Sequence, residues 1–422
     1  MTEQDSRPPS VDRLARSLHD TGLPHPMLVE AARAAISAGS PDDARRIADD
    51  MARRMLHPVI NGTGTLLHTN LGRAPMGWAQ TEHYSNLELD LTSGERGSRM
   101  DTAPALIAQV CGAEAAITVN NCAAAILLAL ASLAEGRAVI VSRGELVEIG
   151  GGFRVPDVMA RSGARLIEVG TTNRTRLADF KQAVDQHGEE AAVVLQVHQS
   201  NYRIIGFTEA VRTAELATLD PILVADIGSG LIDSRCPWLS SGPPGWLDDE
   251  PAARQTLAAG ADLVTFSGDK LFGGPQAGII AGRADLVAQC AAHPLARALR
   301  PGALVLGALQ ATALAYLNRD GQAIPFWRMA TLAHDALRSR AENLGVGTVV
   351  DVASTPGGGT LPGVEIPSAG VAVEGDQRNP LRNRQRPIIA RVIEARTVID
   401  LRTVHPDDDP EIAAALTPGA DR

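Results

Sequence analysis

The chain has 422 residues, 45% hydrophobic, 21% charged and 3% aromatic, which is ordinary usage for a folded protein and enough length for two or three domains. These proportions exclude a mainly disordered, collagen-like or disulfide-built chain. With 39 basic against 49 acidic residues the net charge is −10, the reverse of a general nucleic-acid binder, so a phosphate-bearing partner has to be met by local clusters.

In chain order, the polar stretch 1–10 carries no apolar signal core, and no apolar run of about 18 residues follows, so a cytoplasmic protein with no membrane span is expected. The next segment reads as helical. Ser10 caps a predicted helix over 11–19, Pro26 starts one over 27–37, and Ser40-Pro41-Asp42-Asp43 starts a third. On the third, Ala44, Ile47, Ala48, Met51 and Met55 share one face, while Arg45, Arg46, Arg53 and Arg54 lie opposite among Asp42, Asp43, Asp49 and Asp50. A charged face so balanced reads first as solvated surface. Residues 1–56 form a small helical module.

From about His57 to Tyr316 short apolar runs alternate with helical segments. The predicted strands are 116–119, 138–141, 166–169, 192–197, 222–226, 263–267 and 277–281. Runs apolar on both faces and separated by helices are what a mostly parallel, doubly covered sheet requires, so the large domain, 57–320, is α/β. Helices over 307–317 and 326–344 lead to strand-like stretches at 347–352, 370–373 and 388–403 and a last helix near 410–416, a smaller α+β domain over 321–422. The Gly- and Pro-rich stretch 356–367 reads as a loop.

Only two of the 39 basic residues are lysines, Lys181 and Lys270. Lys270 lies in Ser267-Gly268-Asp269-Lys270-Leu271-Phe272-Gly273-Gly274-Pro275-Gln276-Ala277-Gly278, directly after an apolar strand, where α/β enzymes build their sites. A lysine in such a place can form a Schiff base with an aldehyde cofactor, and crowding lowers its pKa enough for later use as a base. Upstream, the strand at 222–226 ends in Asp226. A pyridoxal phosphate site needs a carboxylate against the pyridine nitrogen, and Asp226 suits that role, although alone it reads as a turn cap. Asn121, Cys122 and Ala123 start the helix after the strand at 116–119, where backbone N–H groups can cup a phosphate; Asn-Asn before an Ala-rich helix is also an ordinary cap. The joint order of cup, aspartate and lysine is far more specific than any one of them. Cys111, Cys122, Cys236 and Cys290 lack a CxxC spacing and read as free thiols, with no metal site expected.

A specific resemblance rests on longer motifs. Asn61-Gly62-Thr63-Gly64-Thr65-Leu66-Leu67-His68-Thr69-Asn70-Leu71-Gly72-Arg73-Ala74-Pro75, Ser142-Arg143-Gly144-Glu145-Leu146-Val147-Glu148-Ile149-Gly150-Gly151, Val169-Gly170-Thr171-Thr172-Asn173-Arg174-Thr175, the stretch His198 to Glu209 and the lysine loop closely resemble the bacterial selenocysteine synthase family, L-seryl-tRNA(Sec) selenium transferase. The likeness is near-continuous from His57 to Tyr316 and patchier in Pro8-Pro9-Ser10-Val11-Asp12-Arg13-Leu14, Arg386-Pro387-Ile388-Ile389-Ala390-Arg391 and Asp400-Leu401-Arg402-Thr403-Val404.

The resemblance implies a fold-type-I pyridoxal 5′-phosphate enzyme with Lys270 as the Schiff-base lysine and Asp269 beside it. Arg73, Arg297 and Arg300 match the family's arginines for the phosphate of the selenium donor, selenophosphate, which suits the forked guanidinium. It also implies the reaction. Lys270 exchanges for the seryl α-amine and acts as base at Cα, the β-hydroxyl leaves to give aminoacrylyl-tRNA, and selenium adds. The acid that assists the leaving hydroxyl is open among His68, Glu145 and His198. A ring-shaped homo-oligomer, possibly a decamer built of dimers, with the N-terminal module holding tRNA, is implied as well. Two positions depart from the family pattern. Cys122 stands where a third Asn of the cup is expected, bearing on cofactor-phosphate geometry, and Pro301-Gly302 follows Arg300 in place of a commoner Asp-Lys, bearing on donor or RNA affinity. The competing readings are a β-eliminase or ammonia-lyase for a small amino acid or amino sugar phosphate, and a tRNA-binding scaffold without catalysis.

Overall fold

A computed structural model describes residues 10–149, 153–247 and 249–417. Pro8, Pro9, Gly150 and Gly151 of the motifs above lie outside the described residues. The chain divides into two compact units, Met1–Ile60 with Asn383–Pro387, and Asn61–Arg382 with Ile388–Arg422.

In the first unit the predicted helices are present as α1 (Val11–Arg16), α2 (His25–Ser37) and α3 (Ala44–Arg53). Ser10 caps α1 by accepting from Arg13 N at 3.3 Å. The helices close on an alanine-rich core of Ala15, Leu18, Leu28, Ala31, Ala32, Ala35, Ala44 and Ala48. Met55, expected on the apolar face of α3, lies beyond its end and is exposed. The arginines opposite are matched by carboxylates: Arg45 meets Asp20 at 2.7 Å, Arg46 meets Asp43 at 3.3 Å, and Arg53 meets Asp50 at 2.8 Å. Such exposed pairs add little stability, but they neutralise the face.

The second unit is built on a seven-stranded sheet of β1 (Ala115–Val119), β2 (Ala138–Ser142), β3 (Arg165–Val169), β4 (Ala191–Val197), β5 (Ile222–Gly228), β6 (Leu263–Ser267) and β7 (Gly278–Gly282), in the spatial order β1-β7-β6-β5-β4-β2-β3. Every pair is parallel except those of β7, which runs antiparallel to β1 and β6. The expected mostly parallel α/β sheet is therefore what forms. Its inner strands are mostly apolar because helices cover both faces: α4 (Ala103–Cys111) belongs to one core with Phe266, Ile279 and Trp327, and α5 (Cys122–Ala134) to the other with Val139, Leu195 and Val224. Among the described residues no helix is long and apolar enough to cross a membrane.

Beyond α6 (Ala303–Leu317), the single helix expected over 326–344 is two, Pro325–Ala330 and α7 (His334–Leu344). At the break Thr331 turns its hydroxyl back onto Trp327 O at 2.8 Å, an alternative to continued helix. A second, antiparallel sheet follows in the order β8 (Thr348–Ser354), β9 (Ile366–Glu374), β11 (Arg396–Asp400), β10 (Arg391–Ile393). The stretch expected as one strand over 388–403 is thus cut by a turn at Glu394 and Ala395, both at positive φ, and ends in a 3₁₀ turn.

The Asn-Gly-Thr-Gly-Thr motif docks onto this second sheet. Thr63 donates its N–H and hydroxyl to Asn61 Oδ1, and Asn61 Nδ2 donates to Thr65 O. Gly64 has φ +73°, and a Cβ there would lie 2.1 Å from Asp400 Oδ2, so backbone and carboxylate approach as only glycine permits. Residues 66 and 67 then donate to Thr355 O and Pro356 O, which lays His68 to Arg73 beside the lysine loop.

Candidate active site

The site gathers at the carboxyl ends of β5 and β6. The chain after β6 is held from three sides: Gly268 N donates to Ala277 O, Gly274 N to Gly268 O, and Leu271 N to Ser229 O, each at 2.8 Å. Lys270 is thereby fixed in the interior at 7% exposure, with Nζ donating to Gly359 O at 2.9 Å. Burial lowers its pKa, opposed by the Cys122, Asp226 and Asp269 side chains. Lys181, the other lysine, is exposed on the helix Leu177–His187. Asp226 is 6% exposed, and its Oδ1 accepts from Thr265 Oγ1 at 2.9 Å and from Cys122 Sγ at 3.5 Å. Burial pushes this carboxyl up, against the Thr265 hydrogen bond, the Lys270 charge, the Cys122 thiol and the Gly228 N–H.

The helix expected to cup an anion starts as predicted. Asn121 Oδ1 caps α5 by accepting from Ala124 N at 2.9 Å, and the first helical bond runs from Ala125 N to Asn121 O at 3.1 Å. The N–H groups of Cys122 and Ala123 precede that bond and have no acceptor within the helix, at its positive end. A Cβ on Gly278 would stand 2.0 Å from Asn121 O, so the glycine that closes the lysine loop also packs against the cup. The side chain of Cys122 turns away from the cup onto Asp226. The departure at position 122 therefore places a thiol against Asp226 Oδ1.

Arg73, at φ 60°, places Nη1 on Asp269 Oδ2 at 2.7 Å. Its neighbour Ala74 N donates to Asp269 O at 3.3 Å. Its buried Nε has no hydrogen-bond partner among the described residues. Arg297 and Arg300 are both exposed and line a separate pocket of about 190 Å³ with Arg99. Arg300 stands 3.5 Å from Glu88, and Arg99 Nη1 donates to Pro301 O at 2.9 Å. Asn120 N donates to Leu299 O at 2.9 Å, so this segment passes the start of the cup helix. Among the described residues no hydrogen bond or ion pair joins Arg73 to either arginine.

The three candidate acids separate. Glu145 and His198 share a cavity of about 580 Å³ with Asp226, Tyr202 and Glu250. Burial pushes the Glu145 carboxyl up to about 8, although Val197 N donates to it at 2.8 Å. His198 binds Asp226 O through its backbone N–H, and its ring Nε2 is 3.4 Å from Glu250 Oε2. His68 lies instead in the segment beside the lysine loop, with Nδ1 buried and without a partner among the described residues. Thr265, Glu250 and Gly359 were not singled out from sequence. Thr265 is hidden inside an apolar strand, Glu250 in a Pro-rich loop, and Gly359 contributes only a carbonyl.

This sheet with its single antiparallel strand, buried lysine and strand-end aspartate defines a class, that of the fold-type-I pyridoxal-phosphate-dependent enzymes. The solved structure of D-glucosaminate-6-phosphate ammonia-lyase has this fold, with a TM-score of 0.56 at 19% identity, covering 87% of this chain and 96% of that one. The family profile of L-seryl-tRNA selenium transferase matches residues 59–405. The chain is 45% identical over 399 residues to the L-seryl-tRNA(Sec) selenium transferase of Moorella thermoacetica, covering 87% of this chain and 82% of the relative. It is 42% identical over 465 aligned positions to that of Geobacter sulfurreducens, covering 97% and 98%. The chain belongs to the L-seryl-tRNA selenium transferase family, a family of pyridoxal-phosphate-dependent transferases.

Proposed function

We propose that this chain converts L-seryl-tRNA(Sec) to L-selenocysteinyl-tRNA(Sec) with selenophosphate as donor, using pyridoxal 5′-phosphate held on Lys270. The observation that carries the reading is the placement of Lys270. It is the one buried lysine of two, fixed next to a buried strand-end carboxylate and a helix start with unspent N–H groups.

These residues fit the cofactor by their chemistry: a buried amine to bond its aldehyde, Asp226 for its ring nitrogen, and the N–H groups of Cys122 and Ala123 for its phosphate. Bound there, the cofactor supplies an electron sink for the charge that develops when the substrate Cα loses its proton. The chain's own groups do the rest. Burial favours the neutral form of Lys270, so Nζ, when not joined to the cofactor, would be the base that takes the substrate Cα proton. Glu145, held protonated by burial, is the candidate we assign to give a proton to the departing hydroxyl. Arg73 keeps Asp269 in place, and its Nε, without a hydrogen-bond partner among the described residues, is the donor we assign to the selenium donor's phosphate. Arg297 and Arg300 are assigned to the donor phosphate on the strength of the family alone, since they line a separate pocket in which Arg300 pairs with Glu88. The N-terminal helical unit is assigned to the tRNA and the assembly to a homo-oligomeric ring, on the strength of the family.

The test is incubation with seryl-tRNA(Sec) and selenophosphate, with selenocysteinyl-tRNA scored after hydrolysis of the ester. Product is expected from the wild type and none above background from Lys270→Ala. A wild type that loads cofactor yet makes no product, or that acts instead on free amino acids or amino sugar phosphates, overturns the reading.

A further inference from the structure

Asp226 carries an asymmetry that the fold alone does not demand. Both side-chain donors that reach it, Thr265 Oγ1 at 2.9 Å and Cys122 Sγ at 3.5 Å, fall on the same oxygen, Oδ1. No side-chain donor reaches Oδ2 among the described residues. Thr265 is 0% exposed and sits in the middle of β6, where every other side chain but that of Ser267 is apolar. A hydroxyl in such a place needs a partner, and a branched apolar residue would fill the same space. The hydroxyl donates to a charged acceptor, the stronger kind of hydrogen bond, whereas a thiol is a weak donor. The groups around the carboxylate come from four elements: Thr265 on β6, Cys122 at the start of α5, Lys270 on the loop after β6, and the backbone N–H of Gly228 at the end of β5.

We propose that Thr265 is a positioning residue for the reaction: seconded by Cys122, it fixes Asp226 by Oδ1 so that Oδ2 is the oxygen presented to the ring nitrogen of the cofactor. The proposal rests on the reading that Lys270 holds pyridoxal phosphate. With Oδ1 tied, the side chain has one orientation, and the hydrogen bond favours its charged form against the burial that disfavours it. A charged, aligned Asp226 holds the ring-nitrogen proton. That proton in turn makes the lysine-bound nitrogen across the ring less basic.

The experiment uses holoenzyme and reads the visible absorbance of cofactor joined to Lys270 across a pH series, together with the cofactor Kd. Thr265→Val removes the hydroxyl and keeps the shape. It is expected to weaken cofactor binding roughly tenfold, the loss of one hydrogen bond to a charged group, and to raise the midpoint of the absorbance change by about half a unit or more. Thr265→Ser is expected to restore both. Cys122→Ala is expected to move the midpoint in the same direction by less.

A folded Thr265→Val variant with the wild-type midpoint and Kd overturns the proposal, as does a Thr265→Ser variant that behaves like Thr265→Val. If Thr265→Val does not fold, Cys122→Ala decides, an upward shift supporting the proposal and an unmoved midpoint overturning it. A wild type with no lysine-bound absorbance removes the Lys270 reading and this inference with it; a wild-type band that the variants leave unmoved removes the inference alone.

Discussion

Asp400 and Asp226 each lie at or near the end of a strand in the interior of the same unit, and the donors around them differ. Asp400, 0% exposed at the end of β11, is served on both oxygens: Ser368 Oγ at 2.6 Å and Arg402 N at 3.1 Å on Oδ1, Ser354 Oγ at 2.8 Å and Arg391 Nη2 at 3.2 Å on Oδ2. Gly64 packs on it as well. Asp226, two residues before the end of β5, has both of its side-chain donors on one oxygen, with the Gly228 N–H as its backbone donor. A buried carboxylate with side-chain donors on both oxygens is a staple between chain segments, whereas one whose side-chain donors fall on a single oxygen has capacity left for a ligand. The difference separates structure from chemistry at two positions that look alike in sequence, an aspartate closing an apolar run.

The sharpest way to break this contrast is Asp226→Ala. We expect turnover to fall by at least about 10³-fold, the scale of losing a charge pre-placed for the reacting system. Its unfolding free energy is expected to change by only about 1 kcal/mol, because the desolvation cost of the buried carboxylate is relieved while the side-chain hydrogen-bond donors left behind are one hydroxyl and one thiol. Steady-state kinetics and urea unfolding of the same preparation test both halves. Asp400→Ala is expected to do the reverse, losing about 3–5 kcal/mol by stranding Arg391 and two serines, with turnover per folded molecule close to wild type. Denaturation midpoints and active-site titration separate those effects.

Gly64→Ala probes the same staple from the backbone side. Its Cβ meets Asp400 Oδ2 at 2.1 Å and its φ is +73°, so a loss of about 2–3 kcal/mol is expected by thermal unfolding. Glu145 gives the smallest effect. Its carboxyl is raised from 4.5 to about 8 by burial, so the folded state holds the proton more tightly than the unfolded one. Stability therefore falls as pH rises from about 4.5 to 8 and is level above that. Glu145→Gln removes the slope and is expected to be more stable than wild type by about 1 kcal/mol at the alkaline end, discounted for partial exposure. Melting temperatures across pH measure it.

The central sheet was legible because doubly covered parallel strands are written as short apolar runs bounded by turns. All of the predicted strands 116–119 through 277–281 are present within two residues at each end. The second sheet was less so, since its strands 348–354 and 391–393 are only partly buried and carry weak alternation. Of the site, Lys270 stood out by the near-absence of lysine, and Asp226 and Asn121 by their places at strand and helix ends. Thr265 could not be found in this way, because threonine is a good strand former and its partner is 39 residues away. The turn of the Cys122 side chain onto Asp226 likewise depends on the packing of α5 over β6 and β7, which no local pattern encodes.

The seat of β7 sets an order on events during synthesis. Last of the seven strands to leave the ribosome, it must slide between the first and the sixth, and until it does β1 has no neighbour and Gly278 cannot close on Asn121. The last strand in the sequence is thus the wedge that brings the first residues of α5 against the lysine loop, so the two halves of the candidate site depend on one late segment of chain.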